Sequence, residues 1–506
     1  VSVLRPSVAQ LQAAGAALGF ELSAADAVLY NDMMAGTFEA YDVVDRLPDH
    51  TPPVTAPRLP GYRPAGEENR WNAWARKLSL KTRDSGKLHG KRIVLKDSIC
   101  LAGVPMSAGA AFLDGYVPDV DATVVGRILE AGGEIVGKAM CEYLCSSGGS
   151  HTSWPLPVLN PHNPAHSAGG SSSGSAALVA AGEADMSLGG DQGGSIRIPA
   201  AWCGIVGMKP TYGLIPYSGM FPIEWTLDHT GPMTVNVADN AVLLEVVAGD
   251  DGLDPRQRHV QTAAYSTIMH QGPRGLKIGV VREGFGVPES DPLVDAAVRA
   301  AAERFAGLGA EVSDVSVPVH AIGQAIWAPT LVEGSADLMM RGDGAGTNHG
   351  GLFVLGGAAA MARWRDRPEE ISVPLKVVML ASEWMRHTYG TRFYGKSQNL
   401  IRWMRHEYNN ALREYDLLVL PTTPQLPTRL PPAEASIEQI WGCALNMNRN
   451  TSPFCATGHP SLTVPCARIG DLPVGLMFVG RHWDEGAIYR AAYAFAESFD
   501  WKQTHT

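Results

Sequence analysis

AGGSSSGSAALVAAGEADMSLGGDQGGSIRIPAAWCGIVGMKPT, residues 168–211, is the stretch from which the rest of the chain can be read. Two serines stand in glycine-rich turns within it, Ser171 behind Gly169 and Gly170, and Ser195 behind Gly193 and Gly194. Between them lie an apolar run of helical character, Ser172–Ala181, and a short strand pattern ending near Gly190. The glycines clear away side chains that would block a substrate and leave backbone N–H groups bare. A nucleophilic hydroxyl served by an oxyanion site of backbone donors needs that arrangement.

Outward from this stretch, short apolar runs alternate with helical patterns. Arg92–Lys96 (RIVLK) and Glu134–Gly137 (EIVG) read as strands, separated by a helix over Ala122–Ala131 that Gly132 and Gly133 stop. Lys277–Val281 (KIGVV), Leu417–Leu420 (LLVL) and Val474–Val479 (VGLMFV) add strands, and Asp291-Pro292 opens a helix running to about Gly307. The alternation predicts an α/β fold, a large mixed and mostly parallel central sheet with helices on both faces. Residues 66–285 and 415–506 are expected to form this core.

Two segments stand apart. Residues 1–65 predict a helical appendage and linker: Ser7 with Gln10 makes a capping box, Gly19 stops the first helix, and Ser23 with Asp26 opens a longer second one. The proline-rich run TPPVTAPRLPGYRP, residues 51–64, suits neither a helix nor a central strand. Residues 286–414 carry Trp327, Trp364, Trp384 and Trp403 with six methionines, interrupted by the glycine-rich run 342–357. They read either as helical core or as an inserted subdomain overhanging the core and lining an apolar pocket, and both readings can hold together.

Bulk composition narrows the function classes. The chain has 506 residues, 45% hydrophobic and only 18% charged, with net charge −10. An acidic chain without a basic block argues against nucleic-acid binding, and no apolar run approaches the ~18 residues of a membrane span. Seven cysteines without a CxxC pair suggest reduced thiols and a cytoplasmic setting, as does the lack of a basic-then-apolar pattern in the first residues.

Lys96, Ser171 and Ser195 each have a plain structural explanation when taken singly: a strand-closing lysine, a helix cap and a turn residue. Together with Gly190–Pro199 (GDQGGSIRIP), Cys203–Thr211 (CGIVGMKPT), Leu95-Lys96-Asp97, Gly458-His459-Pro460 and Leu472–Leu476 (LPVGL), they make the chain resemble the amidase signature family from about residue 88 to residue 481. The resemblance implies a Ser–cis-Ser–Lys set, with Ser195 as nucleophile, Ser171 as bridging serine behind a cis peptide bond, and Lys96 as base. A serine hydroxyl attacks poorly until a base takes its proton, and lysine serves only when neutral, a form that burial favours. Ser172 and Ser173 leave a one-residue ambiguity for the bridging role, and the Gly-Gly pair before Ser171 with its 24-residue spacing to Ser195 favours Ser171.

By the same resemblance, the N–H groups of Gln192, Gly193, Gly194 and Ser195 form the oxyanion site, Asp191 and Arg197 brace that loop, and the backbone around Cys145–Ser147 meets the substrate amide. The block 191–204 with Phe221–Glu224 and Leu227–Pro232 resembles the broad-specificity amidases that follow nitrile hydratase in nitrile breakdown, which carry an extra helical N-terminal region. The implied reaction is hydrolysis of small aliphatic or aromatic amides to acid and ammonia through an acyl-Ser195 ester, with no metal and no organic cofactor. Carbamate or anilide hydrolysis with the same residues, or an amidotransferase-type subunit, remain open. The expected partners are a small amide and a second copy of the chain, docked through the N-terminal helices.

Other chemistries lack their signatures. There is no GxSxG elbow at Ser195, although His166 and His229 lie near in sequence, and no P-loop, strand-following GxGxxG or HExxH occurs.

Overall fold

The computed structural model describes residues 3–347 and 349–503. The chain divides into two compact units, Val1–Pro53 and Val54–Thr506. The boundary falls before the expected residue 65 because the linker joins the larger unit: Arg58 pairs with Asp121 at 2.6 Å, and Tyr62 exchanges backbone hydrogen bonds with Lys77.

The smaller unit contains three helices rather than two, Val8–Ala17, Ala24–Met33 and Ala35–Arg46. The expected capping box at Ser7 and Gln10 is present, and Ser23 Oγ accepts from the Asp26 N–H. The long second helix is broken at Met34, which ends one helix and precedes the next without a side-chain cap hydrogen bond. Leu18, Phe20, Leu29, Met33, Tyr41 and Val44 are exposed on this unit.

The larger unit is built on an eleven-stranded sheet. Its strands are β1 (Trp74–Leu80), β2 (Arg92–Lys96), β3 (Glu134–Ala139), β4 (Met186–Asp191), β5 (Val206–Lys209), β6 (His229–Thr234), β7 (Lys277–Val281), β8 (Glu311–Val315), β9 (Leu417–Pro421), β10 (Ser461–Ile469) and β11 (Leu472–Gly480). The spatial order is β1-β3-β2-β4-β6-β5-β10-β11-β9-β7-β8. The sheet is mixed, but the expected parallel majority is corrected. Parallel pairing is confined to β3-β2-β4 and β9-β7-β8, while the middle, β4-β6-β5-β10-β11-β9, is antiparallel throughout. Parallel neighbours need long crossovers, whereas β10 and β11 are joined by a tight turn at Gly470, where φ is +57°.

Period-two alternation splits each strand between two cores. Ile93, Leu95, Leu417 and Val419 face a core shared with the helices Thr123–Glu130, Val237–Val247, Pro292–Gly307 and Glu485–Ser498. Val94 packs on the other side with Ala176, Ala177 and Ile196, and Leu418 and Leu420 pack there with Trp327, Met404 and Tyr408. Helices thus cover both faces, as the apolar runs require.

Residues 286–414 begin inside this core rather than as an insertion. Asp291 caps Pro292–Gly307 by accepting from the Leu293 N–H, and β8 forms the sheet edge. Beyond it the segment is helical, with Gly323–Ser335, Val373–Tyr389 and Arg392–Glu414. Trp327 and Met404 are buried, whereas Trp384 is 66% exposed, so the aromatic content is only partly core. Among the described residues no helix is long and apolar enough to cross a membrane, and no cluster of His, Cys, Asp and Glu could hold a metal.

Candidate active site

Two parallel neighbours, β2 and β4, end at the same edge of the sheet, with Leu95 opposite Leu188. The end of β2 delivers Lys96 and the end of β4 delivers the loop 191–195. The turn before the helix Ser173–Ala180 brings Ser171 into the same niche, and the Gly170–Ser171 peptide bond is cis. Lys96 Nζ donates to Ser171 Oγ at 2.8 Å and to the Gly190 carbonyl at 3.5 Å, and both side chains are buried. Ser172 points elsewhere: its hydroxyl donates to the Gly190 carbonyl and accepts from the Gly190 N–H, both at 3.1 Å. Its own N–H donates to the Ser195 carbonyl at 3.2 Å, which sets the 171–172 backbone against that of Ser195.

Gly170 has no alternative here. A Cβ on it would sit 1.8 Å from the Gly149 carbonyl oxygen, because the Gly170 N–H donates to Gly148 at 2.7 Å and draws the two chains together. Asp97, beside Lys96, accepts from Ser107 and from the Ala108 N–H and lies 3.4 Å from Lys138.

The loop after β4 is tied down by a buried ion pair. Asp191 accepts from the N–H groups of Gly194, at 2.7 Å, and Ile196, at 3.0 Å, and from Arg197 Nε and Nη2, each at 3.0 Å. Burial opposes ionisation of Asp191, but the Arg197 charge and these hydrogen bonds outweigh it and hold the carboxyl well below the usual range. Arg197 reaches on to the Thr451 carbonyl and Ser461, and Cys455 Sγ donates to Asp191 at 2.9 Å.

These bonds correct the expected donor set. The Gly194 N–H is spent on Asp191 and cannot serve an oxyanion. The N–H groups of Gln192, Gly193 and Ser195 have no acceptor among the described residues. The carbonyls of that turn are held instead: Trp327 Nε1 donates to Gln192 O at 2.9 Å and Thr451 Oγ1 to Gly193 O at 2.6 Å. Sequence reasoning placed Trp327 only in an aromatic-rich segment and missed Thr451, since nothing local ties either residue to a loop so far along the chain.

Ser195, 8% exposed, lines a pocket whose empty space, part of it open to solvent, is about 520 Å³, together with Cys145, Ser147, Gln192, Gly193 and Trp327. Leu331, Met339, Leu375 and Val378 close it with an apolar wall drawn from residues 323–389. Cys145 sits at the wall with φ +58°, its N–H donating to Glu142 O at 2.8 Å, and the Ser146 N–H is likewise bonded to Tyr143. The Ser146 hydroxyl is bonded to the same Tyr143 carbonyl at 2.6 Å, so the backbone carbonyls of these two residues are what is left to meet a ligand. Glu142 anchors the segment by accepting from Thr152 and Ser153. No histidine hydrogen-bonds Ser171 or Ser195 among the described residues; His229 is buried against Tyr212 and bonded to Leu227 O. A second cavity of about 700 Å³, bounded by Tyr116, Phe221, Trp225 and His349, contains none of Lys96, Ser171 and Ser195.

A buried lysine–serine contact beside a second serine that lines a cavity, on a two-faced α/β sheet, defines a class of amide-cleaving hydrolase, and comparison with known proteins agrees. The family model described as Amidase matches residues 62–489. The chain belongs to the amidase signature family and is an amide-hydrolysing enzyme. It is 42% identical over 460 residues to an enantioselective amidase of Rhodococcus rhodochrous, covering 90% of this chain and 88% of that one. It is 35% identical over 414 residues to one of the subunits of the glutamyl-tRNA(Gln) amidotransferase of Exiguobacterium sibiricum, covering 81% of this chain and 84% of that one. Among solved structures, the native peptide amidase of Stenotrophomonas maltophilia superposes with a TM-score of 0.68 at 30% identity, covering 82% of this chain and 83% of that one.

Proposed function

We propose that the enzyme hydrolyses small aliphatic and aromatic carboxylic amides to the acid and ammonia through an acyl-Ser195 ester. The observation carrying this reading is the 2.8 Å Lys96–Ser171 contact, set beside a compact, mostly apolar cavity that Ser195 lines. Lys96 draws a proton through Ser171 from Ser195 Oγ, which attacks the amide carbon. The N–H groups of Gln192, Gly193 and Ser195 take up the negative charge on the former carbonyl oxygen. The proton passes back through Ser171 to the leaving nitrogen, the C–N bond breaks and ammonia departs. Water, deprotonated along the same relay, cleaves the ester to the acid and restores Ser195.

Hydrolysis by a self-contained chain is favoured over transamidation by the wall of Leu331, Met339, Leu375 and Val378, which suits an apolar acyl group and offers no charged side chain to a glutamine. The exposed apolar side chains of Val1–Pro53 support a homodimer formed through these helices. Seven free cysteines, six of them buried, support a reducing, cytoplasmic setting, and the resemblance supports a place after nitrile hydration. The test is product analysis with acetamide, benzamide, an anilide and an ethyl carbamate, with hydroxylamine added. Ammonia and a hydroxamate are expected from the first two; ammonia without hydroxamate would refute the acyl-enzyme.

A further inference from the structure

The Gln192 side chain carries a polar atom that the mechanism above does not use. Its Nε2 donates to Tyr217 Oη at 3.1 Å, while its Oε1 is buried with no hydrogen-bond partner among the described residues. Gln192 is only 4% exposed and lines the same cavity as Ser195 and Cys145. A buried carbonyl left unpaired has lost its water and gained nothing in return, so a donor that arrives with the substrate removes that penalty.

The orientation of that amide is set by a chain of hydrogen bonds. Tyr217 is buried, and burial pushes its phenol well up, so it keeps its proton. That proton is donated to the Phe221 carbonyl at 3.2 Å. With its proton on Phe221 O, Tyr217 Oη accepts from Gln192, which presents its NH₂ to the tyrosine and turns its oxygen away from it. The backbone at Gln192 is fixed independently, because Trp327 holds its carbonyl at 2.9 Å. A buried, unpartnered acceptor thus belongs to a residue that lines the same cavity as the nucleophile.

We infer that Gln192 Oε1 accepts a hydrogen bond from an N–H of the reacting amide, making Gln192 a specificity-determining residue that selects amides over esters. This rests on the amide-hydrolysis reading above and extends it to the leaving group. A primary amide brings N–H donors on its reacting nitrogen, whereas an ester brings none and leaves Oε1 unpaired. Sites built to pair a substrate N–H or O–H reject analogues lacking it far more strongly than apolar pockets reject a missing methylene. An acceptor on the N–H also fixes rotation about the breaking C–N bond, so the nitrogen lone pair that forms in the tetrahedral intermediate can turn toward the Ser171 proton.

The experiment compares kcat/KM for benzamide and for 4-nitrophenyl benzoate, which shares its acyl group and has no N–H. In Gln192→Leu the amide-to-ester ratio is expected to fall about tenfold or more. In Tyr217→Phe, where the amide is free to flip, the ratio should fall by a smaller factor, and this variant decides the matter if Gln192→Leu does not fold. A wild-type enzyme active on both substrates, with an unchanged ratio in the folded variants, would overturn this inference alone. A wild type that cleaves the ester but not benzamide would overturn it together with the amide reading.

Discussion

Lys96 Nζ and Ser171 Oγ stand 2.8 Å apart in a niche that solvent does not reach. Separated by 75 positions, they meet because the ends of β2 and β4 open at one sheet edge and the Gly170 turn folds over it. Neither side chain has a stabilising task that would justify burying an amine against a hydroxyl. The proton transfer to and from Ser195 proposed above would supply the reason.

If the three residues act as one unit, single replacements should be nearly as damaging as combined ones. Ser195→Ala is expected to lower kcat by about 10⁴-fold or more while leaving the melting temperature close to that of the parent. Lys96→Ala and Ser171→Ala should fall within about tenfold of it, and the triple variant should be no worse than the worst single one. Multiplying losses in steady-state assays would show that the three work independently.

Asp191 and Arg197 form a fully buried pair, at 3.0 Å, on which the loop 191–195 hangs. Removing one partner of such a pair strands the other, at about 3–5 kcal/mol. Asp191→Asn should therefore destabilise the fold by that order and lower kcat beyond what instability explains, because the Gly194 and Ile196 N–H groups lose their acceptor. Urea unfolding, with kinetics on the remaining folded fraction, measures both. The depressed folded-state value of Asp191 adds stability above its ordinary pKa near 4, lost as pH falls toward the folded value.

Lys209 is buried, and desolvation pulls its amine down to about 7. The unfolded chain, with an ordinary value near 10.4, holds one more proton between those limits. Stability should therefore rise with pH from 7 to 10 by about 1.4 kcal/mol per unit from this group, and be lost as pH falls through the same window. Lys209→Met should flatten the dependence, seen as a smaller difference between urea midpoints at pH 7.5 and 9.5. Equal slopes in parent and variant would mean that Lys209 keeps its charge.

Leu375 is fully buried and forms part of the apolar wall opposite Ser195. Leu375→Ala should cost about 2–5 kcal/mol of stability and shift preference toward bulkier acyl groups. The readout is the ratio of kcat/KM for a ring-substituted benzamide to that for benzamide, expected to rise. A ratio that stays constant would remove this wall from acyl-group selection.

Local physics was legible in the residues alone. RIVLK, KIGVV and LLVL form strands because β-branched and leucine side chains at period two suit a sheet buried on both faces. Ser7, Ser23 and Asp291 cap helices because a side-chain oxygen one residue before the first turn satisfies an otherwise unpaired N–H. The block 168–211 pointed to Ser171 and Ser195, since closely spaced glycines around hydroxyls have few structural uses, and the resemblance added Lys96.

Pairing across long sequence distances was not legible. The antiparallel middle of the sheet and the capture of the Gln192 and Gly193 carbonyls by Trp327 and Thr451 depend on partners brought together by folding. The same holds for the spent N–H of Gly194: its residue type suggested a free donor, and the Asp191 carboxylate decided otherwise. Sequence by itself determined which groups could react, because residue type and local backbone preference are written in adjacent positions. Tertiary structure alone decided which of those groups are free to react, because a hydrogen bond is committed only when its partner arrives from another part of the chain.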